Sequence, residues 1–241
     1  GDLKTCNKIL KEAQLYKDLG ITIRPIAPEN LCIVVSSDAA WANAKDQEGD
    51  HKSQAGYIVL STDRQMLQGR ETMFSMLTWK SHTLKRRTVS TLSAETQAIV
   101  ESAAIACWFR YLMAEMFYRD LLNNGSIDWE TMLEPLEFGI VTDAKSVYDA
   151  LTASSHSTSS TDKRTCIDLA IIREYLRRHN GCIRWIDGSV QLADSLTKHM
   201  TTDFLRSVLY RGSYQLQEEY DTLNLRCKAK EEKLKIGRAH V

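Results

Sequence analysis

Four acids stand where the sequence changes character: Asp38, Glu95, Asp143 and Asp194. Asp38 ends an apolar run, 31–37, that reads as a buried strand. Glu95 opens a long apolar stretch with helical spacing, and Asp143 ends a second strand-like run at 138–142. Asp194 lies in Gln191-Leu192-Ala193-Asp194-Ser195-Leu196-Thr197-Lys198, near the start of another helical stretch. Any one acid at an element end is ordinarily solvated. The order strand-Asp, helix-Glu, strand-Asp, helix-Asp is more specific, because it lets carboxylates from distant segments converge on divalent ions. Two magnesium ions about 4 Å apart can jointly activate water and stabilise a leaving oxygen. Magnesium takes oxygen ligands and retains waters, which suits a carboxylate cluster. Crowded carboxylates repel one another, so without metal at least one should have a raised pKa.

The elements that must position these acids follow from periodicity. Residues 3–19 read as an amphipathic helix stopped by Gly20, and Pro25 and Pro28 mark a connector. Strands are expected at 31–37, 55–60 and 73–79, with a polar loop over 43–53. Their short connections suit an antiparallel meander. Gly56 is expected to serve backbone geometry. The strongest helix is expected over 94–118, with Trp108, Phe109, Tyr111 and Phe117 in the core. Residues 123–134 read as a loop, 136–142 as a strand and 144–151 as a short helix. A Ser/Thr-rich linker containing His156 covers 152–161. A helix over 162–179, with Ile167, Ile171, Ile172, Tyr175 and Leu176 facing the core, then leads to a last strand at 182–186. The pattern implies an α/β layer fold with a mixed sheet.

Composition bounds the function classes. The chain has 241 residues, a net charge of zero and 26% charged residues, which suits one soluble domain with appendages. Neutrality excludes a uniformly basic nucleic-acid coat but allows a local basic patch. No apolar run is long enough to span a bilayer, and the start lacks a signal-peptide pattern. Six cysteines without a CxxC pair read as reduced thiols.

The densest basic stretch is 80–88, with Lys80, Lys85, Arg86 and Arg87. Such runs usually form solvated loops. Here the run directly precedes Thr91, Ser93 and Glu95, where cations could meet a phosphate backbone and hydroxyls could cap the helix or bond sugar groups.

Taken together, Ser37-Asp38-Ala39-Ala40-Trp41-Ala42, Ser53-Gln54-Ala55-Gly56-Tyr57, Leu77-Thr78-Trp79-Lys80-Ser81, Ser90-Thr91-Leu92-Ser93-Ala94-Glu95, Val141-Thr142-Asp143-Ala144-Lys145-Ser146 and 191–198 resemble the ribonuclease H domain of copia-type retrotransposon polyproteins. The stretches occur in family order over about residues 30–200. The resemblance implies a ribonuclease H-like three-layer fold, a five-stranded mixed sheet flanked by helices. It implies cleavage of the RNA strand of RNA–DNA hybrids, with Asp38, Glu95, Asp143 and Asp194 as catalytic ligands of two magnesium ions, manganese being an alternative. Lys80, Lys85, Arg86, Arg87, Thr91 and Ser93 are the candidate hybrid contacts, the last two toward the 2′-hydroxyl.

The resemblance also divides the chain. Residues 1–29 resemble the end of a reverse transcriptase, the implied partner, and 30–202 the nuclease. Residues 203–235 form a helical extension, and 236–241 look like a translated sequencing artefact. An intracellular, cytoplasmic location, including virus-like particles, is implied, with no membrane partner. The polymerase motifs themselves are missing, so no DNA synthesis is expected.

The sequence departs from the family in two places. The loop Asp187-Gly188-Ser189-Val190 has no histidine, and the family's Lys-His-Ile-Asp stretch appears as Thr165-Cys166-Ile167-Asp168. Asp168 therefore reads as a helix-surface acid, and His179 and His199 as surface histidines without a role. A non-catalytic remnant that folds and binds nucleic acid or a polymerase partner is the competing reading. A polynucleotidyl transferase or integrase is a third, and the local motifs fit it less well.

Overall fold

A computed structural model describes residues 2–45, 49, 51–118, 129–153, 162–198 and 202–217. The expectations for His156, His199 and 236–241 lie outside them.

The sheet is laid down first by an antiparallel meander. Strands β1 (Leu31–Lys45), β2 (His51–Asp63) and β3 (Thr72–Thr83) pair in sequence order. The link from β2 to β3 is one 3-10 turn, Arg64–Gln68. Asp63 caps it through Gln65 N–H, and Gly69 ends it at φ 79°, a conformation glycine adopts without cost. β4 (Glu137–Thr142) then joins β1 in parallel, and β5 (Gly181–Trp185) joins β4 in parallel. A two-residue strand, β6 (Ser213–Tyr214), pairs antiparallel with β3. The order is β5-β4-β1-β2-β3-β6, so the sheet has six strands where the resemblance implied five.

Alternation along the strands builds a core on each face. Ile33, Val35, Tyr57 and Val59 pack with Phe138 and Ile140 beneath α2 (Thr91–Phe117), α4 (Lys145–Thr152) and α5 (Lys163–Arg178). Cys32, Val34, Ile58 and Leu60 point the other way. They pack under Met66 and under residues near α6 (Asp194–Thr197) and within α7 (Asp203–Arg211), such as Leu192 and Val208. Three layers result. The small residues Ala94, Ala98, Ala103 and Ala106 are fully buried, which lets α2 lie close to the sheet.

Several expectations change. The strands are longer than their apolar cores, so 43–45 and 51–53 are strand and not loop, and Lys80 to Thr83 end β3. Ladder hydrogen bonds continue past the buried face, where periodicity no longer marks a strand. Residues 129–133 form α3 (Trp129–Leu133) instead of loop. Its C-terminal side is held by Arg110, which donates to the Leu136 and Leu133 carbonyls at 2.5 and 2.7 Å. Leu216 is buried in coil in the second core and does not start a helix.

The N-terminal helix, α1 (Asp2–Leu15), ends five residues before Gly20, with Leu3, Ile9, Leu10 and Leu15 exposed. Trp108 and Phe117 are exposed, and Tyr111 lies at the surface, because they stand on the face of α2 opposite the buried Ala103, Ala106, Arg110 and Ala114. Ile167 and Ile171 also face outward, toward a groove of about 760 Å³ between α2 and α5 that includes Trp108 and Tyr111 but none of the four acids. His179 is buried, stacked on Tyr175 and edge-on to Tyr111, not a surface residue. Among the described residues no helix is long and apolar enough to cross a membrane. The cysteines among them carry free thiols.

Candidate active site

The meander and the parallel crossover fix two acids side by side. Ser36 pairs with Val141 in the parallel register, so two residues further on Asp38, midway along β1, and Asp143, just past the end of β4, stand side by side on one face. The carboxyl ends of such strands are where open α/β sheets hold ligands. Just past Asp38, β1 carries a bulge between Ala40 and Ala44, with Ala42 at φ 54°. A bulge bends the strand and ends regular pairing beside the site.

The third acid arrives from the opposite direction. Across the β1–β2 ladder, Gly56 faces Asp38, and α6 rests on it. A β-carbon at Gly56 would lie 2.7 Å from Leu196 Cβ and 2.9 Å from Thr197 Cγ2. Glycine is required there so that α6 can approach closely, as the sequence suggested. Oxygens of Asp38, Asp143 and Asp194 come to lie within 4.8 Å of one another. Asp38 is only 1% exposed and Asp194 7%.

Glu95 is not one of these three; it stands near Asp38 and Asp143 on the first turns of α2, which Ser90 caps by accepting the Ser93 N–H at 3.1 Å. It is buried, and its Oε2 has no hydrogen-bond partner. Burial pushes the Glu95 carboxyl well above the usual range, and the charges of Asp38 and Asp143 push it the same way. Burial also raises Asp194 to about 6, although a hydrogen bond from Lys198 opposes the rise. These shifts are what crowded, desolvated carboxylates produce. An orphaned buried oxygen beside three convergent carboxylates fits an oxygen-preferring divalent cation.

The supporting residues carried no assigned role in the sequence reading. Gln191 is buried, accepts from the Ser36 hydroxyl and donates to the Ser37 carbonyl at 3.1 Å, tying β1 to the segment before α6. Thr197 donates to Asp38 Oδ2, and Asn43 holds the Thr197 carbonyl at 2.8 Å. Lys198 Nζ lies 2.5 Å from Asp194 Oδ1 and 3.4 Å from Asp38 Oδ1. Burial alone would lower the Lys198 pKa, but Asp38, the hydrogen bond to Asp194 and Asp143 raise it. The spacing of Asp194 and Lys198, four residues apart, was the available signal.

The basic stretch divides. Lys80 and Lys85 are exposed, as is Thr91, the first residue of α2. Arg86 is engaged in a two-pronged pair with Asp168 of α5, at 2.9 and 2.8 Å. Asp168 is therefore a buried partner, not a surface acid, and the arginine is held by it. Arg86, Arg87 and the buried Ser93 line a polar pocket of about 200 Å³ with Gln97, Asp162, Arg164 and Asp168. Lys80, Lys85 and Thr91 do not line it.

Neither a protein-family model nor a curated protein matches the chain. Among solved structures it is similar to RNase H1 from the halophilic archaeon Halobacterium salinarum, at 15% identity and TM-score 0.44, over 69% of this chain and 94% of that one. It is also similar to the N-terminal RNase H domain of a Mycobacterium tuberculosis protein, at 12% identity and TM-score 0.44, over 69% and 95%. The RNase H domain of PFV matches at 14% identity and TM-score 0.34, over 77% and 94%. At these values the likeness carries no weight of its own, and the functional reading rests on the residues.

Proposed function

We propose that the chain is the ribonuclease H domain of a copia-type retrotransposon polyprotein, a magnesium-dependent endonuclease for the RNA strand of RNA–DNA hybrids. The observation that carries the reading is the convergence of Asp38, Asp143 and Asp194 near the orphaned Glu95 oxygen, from four segments whose local sequences resemble that family in order. In this reading residues 30–202 are the nuclease, 1–29 the end of a reverse transcriptase that is its partner, and 203–235 an extension.

Asp38, Glu95, Asp143 and Asp194 would hold the divalent ions. When bound, such ions supply an activated water and stabilisation of the leaving oxygen. The chain's own residues do the rest. Thr197 orients Asp38, and Gln191 ties the segment before α6 to Ser36 and Ser37 of β1, so that the oxygens face one another before substrate arrives. Lys80 and Lys85 offer exposed charge to a phosphate backbone, which positions a duplex without reading its bases. Thr91 and Ser93, at the start of α2, are the candidate contacts to the 2′-hydroxyl.

The test is incubation of the purified chain with end-labelled RNA–DNA hybrid and magnesium. Cleavage of the RNA strand alone is expected, with none in EDTA and none on duplex DNA. A folded protein that binds hybrid and cuts nothing would return the remnant reading.

A further inference from the structure

Three carboxylates with oxygens within 4.8 Å, with the buried Glu95 near them, repel one another when charged, and a counter-cation relieves that repulsion. The chain supplies one. Lys198 follows α6 directly and reaches back to Asp194 Oδ1 at 2.5 Å and Asp38 Oδ1 at 3.4 Å. An ammonium is a compact point charge on a flexible stem, so it can take a place among oxygens much as a small ion does. Its side chain is 39% exposed while that of Asp38 is 1% exposed, so the lysine enters from solvent and has room to withdraw. Asp38 remains oriented without it, because Thr197 holds the other oxygen, Oδ2.

We propose that Lys198 is a resident cation of the acidic site, a positioning residue that neutralises Asp194 and Asp38 when no divalent ion is bound and is displaced when one binds. This rests on the reading that the cluster holds divalent ions. Lysine and metal then compete for the same carboxylate oxygens. The lysine keeps the empty site from repelling itself apart and weakens metal binding in the same measure.

The experiment is calorimetric titration of manganese and magnesium into the wild-type chain and the Lys198→Met variant, with thermal melts of both in EDTA and in saturating metal. The expected result is tighter metal binding by the variant, about tenfold and within the usual range of coupling between ligands. The metal-induced rise in Tm should also be larger in the variant than in the wild type. If Lys198→Met does not fold without metal, Lys198→Gln, which keeps a hydrogen-bond donor, takes its place. Metal binding by the wild type together with equal or weaker binding by the variant overturns the displacement and makes Lys198 a ligand-supporting residue. No binding by the wild type overturns both this inference and the metal reading beneath it.

Discussion

Gly56 lies directly across the β1–β2 ladder from Asp38, and a side chain on it would run into Leu196 and Thr197 of α6. The glycine and the acid are thus one device: the strand that presents Asp38 is paired to the position that lets Asp194 approach it. Gly56→Val should lift α6 off the sheet. Overpacking of this kind costs about 1–3 kcal/mol, and a displacement near 1 Å can cost about 100-fold in rate. Chemical denaturation and single-turnover cleavage measure the two effects. Wild-type cleavage by Gly56→Val would detach α6 from the site.

Asp143→Asn should abolish cleavage and leave the fold intact, since it keeps volume and removes the anionic oxygen. The loss should exceed the roughly 100-fold that removal of a mere supporting residue costs. Cleavage assays at saturating magnesium, paired with circular dichroism, check this. A wild-type rate would remove Asp143 from the site.

Glu95 gives the stability of the metal-free chain a pH signature. Its folded pKa lies above its ordinary 4.5, chiefly through burial. The folded state therefore binds more protons than the unfolded state, and stability falls as pH rises from about 4.5. Asp194, raised from 3.8 to about 6, acts in the same direction between those values. Glu95→Gln removes the Glu95 contribution, so in EDTA its Tm should gain on the wild type progressively above pH 4.5. A difference in Tm that stays constant with pH would sink the explanation.

Arg86 and Lys85 adjoin in sequence and should fail differently when removed. Arg86→Ala strands Asp168, whose side chain is 6% exposed, and should cost about 3 kcal/mol of stability. Lys85→Ala should leave stability alone and flatten the salt dependence of hybrid binding by about one unit for a lost phosphate contact. Urea melts and binding titrations at several salt concentrations separate the two. Equal behaviour of the variants would make Arg86 a surface cation after all.

Arg110→Met tests the buried cation under α3. The Leu136 carbonyl would lose its donor, while the Leu133 carbonyl keeps the Leu136 N–H at 3.0 Å, and an unsatisfied buried acceptor costs about 1–3 kcal/mol. Burial of the guanidinium itself is unfavourable and offsets part of this, so a net loss of about 2 kcal/mol is expected in a denaturation curve. A variant more stable than wild type would show that the desolvation term dominates.

The long elements were legible because periodicity survives in a linear chain. The apolar centres of β1, β2 and β4 and the start of α2 follow from which residues must be buried together. So did the four acids, since a charged residue that ends a buried run is visible without coordinates, and Gly56, which needed only its place in a strand. The two-residue β6 was not legible, because pairing with β3 depends on where α7 delivers the chain. Helix α3 was missed because five residues are too few to show a period and its end is held by Arg110, 23 residues before Leu133.

By itself the sequence determined the layered α/β class, the carboxylate chemistry and the order in which its parts occur, because burial pattern and side-chain type are properties of the chain. Only the tertiary structure decided which groups meet. Arg86 and Asp168 look like surface charges until α5 packs beside α2, and the outward aromatics of α2 look like core until the face that meets the sheet is known. Lys198 becomes a counter-cation only when α6 settles on Gly56 and brings it within reach of Asp38. Electrostatic and packing energies depend on distance and on exclusion of water, and between residues as far apart in sequence as Asp38 and Lys198 neither is set until the chain has folded.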